Sequence, residues 1–261
     1  MHAVHSIVAD LIAEHLDLDA LVAPLDEQGW DTATPADGWS IRDQVSHLWF
    51  FDQRAAMALT DPDAFEADKR VLLAGAGVDA SVEPGRRIDG TELLRRWRAD
   101  RAALCELAEA VDPSARVPWY GPSMAARSFI TARLMETWAH GQDVADALGT
   151  QRAPTSRLRH VCHIGVRARP FSYAIRSLPM PDVEVAVHLR APDGELWSWG
   201  EPEAAQYVRG DALDFCLLVT QRRHRLDTAL EVQGAAAEEW MSIAQAFAGA
   251  PGEGRSPLTD R

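Results

Sequence analysis

METWAHGQDVAD, Met135–Asp146, carries two potential metal ligands, Glu136 and His140, four residues apart. Phe129, Ile130 and Leu134 before it, and Val144 and Leu148 after it, recur at helical spacing, and Gly149 supplies a C-cap. The stretch therefore reads as the middle of a helix that begins between Ser123 and Ser128 and ends near Leu148. At i and i+4 the carboxylate and the imidazole lie on one face, one turn apart. Such a pair is either a surface pair or half of a site for a divalent ion, and a site needs a third ligand. The best candidate is His47, in GWSIRDQVSHL, Gly38–Leu48. Two His and one carboxylate leave at least one metal position open, as in catalytic sites. Gly141, next to His140, weakens the helix relative to Ala, which is tolerable if space is needed there for a ligand or another helix.

Working outward, Ser40 is an N-cap and Asp43 a capping-box partner for a helix from about Ile41 to Leu59. Ile41, Val45, Leu48 and Ala55 form its apolar stripe, with His47 beside it. Asp43, one turn before His47, either orients that ring or only caps the helix. Asp143 reads as an outer partner of the site or a surface residue. A first helix spans 4–23 and stops at Pro24, with His2, His5 and His15 on a polar face or frayed start. The segment from Thr60 to Asp89 reads as a long irregular crossover or lid. Asp89 caps a third helix that buries Leu93, Leu94, Trp97, Leu104, Leu107 and Val111. Its arginines 95, 96, 98 and 101 read as solvated partners of nearby acids. Four helices with one long crossover predict a four-helix bundle over residues 1–150, in which ligands on facing helices project inward.

Residues 151–180 read as a linking helix and loop containing RHVCH at 159–163. His160, Cys162 and His163 lack further ligands for a second metal site, so His163 turned toward the active site is the better reading. From Asp182 the period changes to two: Val183, Val185, Val187 and Leu189 alternate with Glu184, Ala186, His188 and Arg190, which predicts a half-buried strand. A Pro-Asp-Gly turn at 192–194 leads to a strand at Leu196–Trp199. A third strand at Ala205–Val208, a helix from Asp211 to about Thr220, a strand at Thr228–Val232 and a helix at Ala235–Phe247 complete a small α+β domain over 181–250. The Gly, Pro and Ser of the tail, 251–261, predict disorder.

The formal net charge of −13 argues against nucleic acid, whose phosphates need a basic surface. Cys105, Cys162 and Cys216 form no Cys-x-x-Cys pair and fit reduced core thiols of a cytoplasmic protein. No basic leader with an apolar run opens the chain, and no apolar run reaches membrane-spanning length. There is no Gly-x-Ser-x-Gly elbow for a serine nucleophile and no His-Glu-x-x-His pattern.

GWSIRDQVSHL at 38–48 resembles the second-helix motif of DinB-like metal-binding bundles, and ETWAHGQDV at 136–144 resembles their fourth-helix motif. Glu in place of the first His of that pair is similar to the mycothiol-dependent maleylpyruvate isomerase branch. The α+β segment resembles the small sterol-carrier-like domain that follows the bundle there, and VTQRRHR at 219–225 resembles a set of mostly uncharacterised actinobacterial relatives. The resemblance implies that His47, Glu136 and His140 hold zinc or another divalent metal. It also implies that Arg222 or Arg223 is the counterpart of an arginine that the family uses near its active site.

The expected function is a zinc-dependent enzyme that uses a low-molecular-weight thiol such as mycothiol for isomerisation or S-transfer on a small electrophilic substrate. A metal-assisted hydrolase or lyase, or a non-catalytic metal- and ligand-binding module, are the alternatives. Partners are the substrate and the thiol, with no nucleic acid or membrane and with a homodimer left open.

Overall fold

Capping residues and apolar stripes set the first helices. The structure, a computed structural model, describes residues 2–75 and 80–258, with side chains from residue 7 onward. α1 (His2–Val22) is followed by the single turn α2 (Glu27–Trp30) and then by α3 (Ile41–Thr60). The capping box expected of Ser40 and Asp43 is formed at the start of α3. Asp61 both ends α3, donating its N–H to the Met57 carbonyl, and caps α4 (Pro62–Ala74), where its carboxylate accepts from Ala64 N. The expected irregular crossover is therefore helical over much of its length, with Pro62 in the first turn, where its missing N–H costs nothing. α5 (Glu83–Arg86) is a further turn, and the Asp89 carboxylate caps α6 (Gly90–Ala110). A two-residue ribbon, β1 (Arg116–Val117) with β2 (Met124–Ala125), leads into α7 (Ala126–Ala147), and Gly149 just beyond it has φ +63°.

The chain divides into two units, Met1–Arg152 and Ala153–Arg261. In the first, α3 packs on α6 and α7, and α1 packs on α6 and α7, which makes the four-helix bundle. Leu18, Trp30, Ile41, Val45, Leu48, Leu93, Trp97 and Val144 form one apolar cluster. Ala55, Ala58, Phe65, Leu104, Val117 and Phe129 form another. Between them along α3 lies Asp52, fully buried, which accepts from the Arg133 guanidinium at 2.8 Å and from Trp97 Nε1 at 3.0 Å.

Helix periodicity misplaced several polar groups. His15 lies not on a polar face but in the core, 2% exposed, against the edge of Trp97 and 3.9 Å from Cys105 Sγ. The side chains of His2 and His5 lie outside the described residues. Arg95 and Arg96 pair with Glu92 at the surface as expected, whereas Arg101 is buried and joins Arg98 on Asp19 of α1. Gly141 makes room for a side chain of its own unit: a Cβ there would meet the Arg152 guanidinium at 3.2 Å. Arg152 passes that point to bond the Trp138 carbonyl and the buried Glu14 carboxylate.

In the second unit α8 (Leu158–Arg167) and α9 (Arg169–Ala174) precede β3 (Ala186–Arg190), β4 (Leu196–Trp199) and β5 (Tyr207–Asp211). α10 (Ala212–Val219), β6 (Glu231–Gln233) and α11 (Ala235–Ile243) follow. The sheet order is β4-β3-β5-β6, with β3 and β5 parallel and the other neighbours antiparallel. Val187 and Leu189 are buried as the alternation predicts, but the strand starts at Ala186 and Val183 is exposed. α10 packs on α8, and there Cys162 and Cys216 lie buried with sulfurs 3.4 Å apart. The tail is irregular from 251 to 257; the expected disorder of 259–261 lies outside the described residues. Among the described residues no helix is long and apolar enough to cross a membrane.

Burial holds the His15 imidazole neutral, lowering its pKa from 6.5 to about 4. The unfolded chain then takes up that proton near its ordinary pKa, and the folded chain only near the lowered one. The stabilisation is complete above pH 6.5 and is lost as pH falls toward 4, by up to about 3 kcal/mol. Urea unfolding at intervals across this window, on wild type and His15→Phe, is expected to show that dependence in the difference between them. Parallel curves would refute it.

Candidate metal centre

His47 sits two turns into α3, and Glu136 and His140 sit near the middle of α7. α7 is buried around most of its circumference in this region; His140 is buried and Glu136, beside it, is partly buried. One ligand atom from each of His47, Glu136 and His140 lies within 4.8 Å of the others. His140 Nε2 and Glu136 Oε2 are 3.3 Å apart, and the two imidazole centroids are 4.6 Å apart. Ligands at about 2.1 Å in a tetrahedral shell stand about 3.4 Å from one another, so the donor set fits a divalent ion with only small side-chain adjustment. Two imidazoles and one carboxylate are also the donor chemistry that zinc accepts.

The outer nitrogens of both imidazoles are engaged. His47 Nδ1 is 2.9 Å from the Ser81 hydroxyl, and His140 Nδ1 is 2.5 Å from Gln44 Oε1. A histidine ligand is oriented in this way by a partner on its other nitrogen, and His140 Nε2 faces Glu136. Ser81 is fixed because Ser46, next to His47, donates to its carbonyl at 2.8 Å and accepts from Gly85 N at 3.0 Å. Trp39 lies 5.1 Å from the His47 ring and stacks on His140 at 15°, and Phe51 flanks His47 at 4.7 Å. Tyr120 packs edge-on against Phe51, extending the aromatic wall.

Of the two readings of Asp43, the geometry supports capping. Its carboxylate accepts from Ser40 N and from Arg86, and Ser81 is the His47 partner. Burial raises the Asp43 pKa, but the Arg86 and Ser40 hydrogen bonds outweigh it and hold the carboxyl below its ordinary range. Asp143 is buried rather than at the surface. His163 belongs to the second unit, is exposed on α8 and accepts from Trp199 Nε1 at 3.4 Å. Arg222 and Arg223 form the turn after α10, where Arg222 donates to the Thr220 carbonyl and Arg223 to the Arg222 carbonyl. Cys162 faces Cys216 while His163 is exposed, so these neighbours share no face, and among the described residues no second cluster forms. Burial pushes the Cys105 thiol up to about 12, which suits a core thiol and not a nucleophile.

Gln44, Thr34, Ser81 and Trp39 were not singled out by sequence reasoning. Gln44 alone left a signal: a polar residue on the apolar stripe of Ile41, Val45 and Leu48. Ser81 reaches the site from a short 3-10 turn and Thr34 meets Gln44 from a loop, and no periodicity marks them.

Comparisons with known proteins bear on the family and the fold. Residues 11–145 match the family model described as the mycothiol maleylpyruvate isomerase N-terminal domain. An uncharacterized protein of Mycobacterium tuberculosis, matched in two strains, is 48% identical over 250 residues, covering 95% of this chain and 97% of that protein. The crystal structure of the mycothiol-dependent maleylpyruvate isomerase superposes with a TM-score of 0.60 at 12% identity, covering 90% of this chain and 93% of that one. A mutant of the same isomerase gives 0.55 at 11% identity, covering 84% and 89%. At such low identity these structures establish the fold.

Asp43→Ala removes the capping box and the Arg86 ion pair, and is expected to lower unfolding free energy by about 1–2 kcal/mol. Because Ser81 and Gln44 hold the imidazoles, zinc uptake measured by calorimetry should be unchanged. Loss of uptake in a folded variant would return Asp43 to the site.

Proposed function

The chain belongs to the mycothiol maleylpyruvate isomerase N-terminal domain family, and from that premise we propose that it is a divalent-metal enzyme, zinc being the best fit, that works with a low-molecular-weight thiol such as mycothiol. The observation that carries the reading is the convergence of His47, Glu136 and His140 from two helices, with both outer imidazole nitrogens engaged. When bound, such an ion lowers the pKa of a coordinated thiol, so that a thiolate is available at neutral pH.

The residues of the chain supply the rest. His47, Glu136 and His140 hold the ion and leave coordination open. Trp39 and Phe51 wall the two imidazoles and limit water around them. The substrate class is a small electrophile with an activated double bond. The thiol sulfur forms a bond to one alkene carbon; rotation about the resulting single bond and rupture of the same S–C bond return the thiol and the isomerised alkene. If the neighbouring carbon instead takes up the proton that the thiol released, the S–C bond persists and the outcome is S-transfer. Arg222 or Arg223 is proposed as the bidentate grip on a substrate or thiol carboxylate, with His163 as a further polar contact. A cytoplasmic location is part of the proposal, since the thiol is an intracellular reductant by this reading.

Metal content by mass spectrometry, on wild type beside His47→Ala and Glu136→Ala, tests the proposal. The expected result is close to one equivalent of divalent metal in wild type and less than a tenth in either variant, with unchanged circular dichroism. The loaded protein should then convert an activated cis-alkene only when mycothiol is present. Wild type that is metal-free and cannot be reconstituted with zinc would overturn the reading.

A further inference from the structure

Gln44 is 0% exposed, one turn into α3 on the face that packs into the bundle. A buried primary amide has an acceptor oxygen and two N–H groups to satisfy, and leaving them unpaired is costly. Its nitrogen is 2.9 Å from Thr34 Oγ1 and its oxygen 2.5 Å from His140 Nδ1.

The direction of each bond follows from what each group can do. The Trp39 carbonyl only accepts, and Thr34 Oγ1 stands 2.8 Å from it, so the one hydroxyl proton is committed there. Toward Gln44 the Thr34 oxygen can then only accept, which turns the amide NH2 to Thr34 and the amide carbonyl to His140. That carbonyl only accepts, so His140 Nδ1 carries a proton. In a neutral imidazole the lone pair is then on Nε2, the nitrogen that faces Glu136. The first link is held by the backbone. Thr34 N also donates to the Trp39 carbonyl at 2.8 Å, Trp39 N to the Ala36 carbonyl at 3.0 Å, and Ala33 bridges Ser40. Gly38, at φ +72°, allows the chain to close this loop. His47 differs: the Ser81 hydroxyl can donate or accept, so by itself it sets no tautomer there.

We propose that Gln44, oriented by Thr34 and through it by the Trp39 carbonyl, is the positioning residue that fixes His140 in the Nδ1–H tautomer and presents Nε2 as a ready ligand before any metal arrives. The inference rests on the assignment of His140 as a ligand only for its consequence; the tautomer is a property of the metal-free chain.

The test uses the full chain, stripped with a chelator and labelled with 15N-histidine, with long-range proton–nitrogen correlation spectra recorded at mildly alkaline pH. Wild type should show His140 protonated on Nδ1 with an unprotonated Nε2. Gln44→Leu should lose that preference and bind zinc about 10- to 100-fold more weakly. Gln44→Glu, which keeps an acceptor toward Nδ1, should retain the tautomer and bind within a few-fold of wild type. Thr34→Val, which frees the amide to turn over, should fall between. A proton on His140 Nε2 in wild type, or Gln44→Leu with an unchanged tautomer and intact fold, overturns the proposal. The two readings fail separately. A chain that never takes zinc but loses the tautomer in Gln44→Leu keeps the relay and loses the metal; a chain that takes zinc but keeps the His140 tautomer in Gln44→Leu does the reverse.

Discussion

α3 and α7 are tied together by buried polar contacts at two levels, and the candidate centre lies between them. At one level Gln44 meets His140, and at the other Asp52 meets Arg133. The numbers rise on α3 as they fall on α7, as antiparallel helices require. The ties are eight residues apart on α3 and seven on α7, or about 12 and 10 Å. His47 and Glu136 fall within that span. Apolar side chains alone would tolerate a slip of one turn better than these groups do. A slip would strand a buried ion pair, at about 3–5 kcal/mol, and a buried amide, at about 1–3 kcal/mol. Against a typical domain stability of about 5–15 kcal/mol, that is enough to hold the register on which the ligand geometry depends.

What was legible in the first unit is what is local. Capping residues, stripe periodicity and the Glu-x-x-x-His spacing are read within one helix, and α1, α3, α6 and α7 came out close to their observed bounds. α4 was lost because Asp61 ends one helix and caps the next, so a stop signal concealed a start. His15 and Arg101 were misplaced because a polar residue on an amphipathic helix is assigned to solvent by default. Which helix covers it is decided by packing, here of α1 on α6. Gly141 makes space, but for neither a ligand nor another helix: the occupant is the Arg152 side chain, from beyond the end of the helix. The partners of the imidazoles depend on contacts with sequence separations of 34 and 96 residues, which no window captures.

The second unit shows the same limit. Alternation identified the inward row of Val187 and Leu189, yet the ladder begins only where β5 and β4 supply partners, so Val183 stays exposed. β5 and β6 both begin later than the sequence suggests, because pairing between them runs from Tyr207 with Gln233 to Arg209 with Glu231. The cysteines were read as core thiols. That two of them would meet across α8 and α10 depends on helix packing that spacing does not encode.

The donor set itself bears on the choice of chemistry. Two neutral imidazoles and one carboxylate would leave a divalent ion with a net charge of about +1, whereas a thiolate-rich set would neutralise it. In a chain with net charge −13, that is a locally positive point in an acidic molecule. A small anionic ligand such as a thiolate is favoured there. It is favoured the more because Trp39 and Phe51 flank the imidazoles and lower the effective dielectric. With a metal bound, the aromatic wall and the single carboxylate would act together. A second carboxylate would cancel the charge that would draw a thiolate in, and an open, watery cleft would screen it.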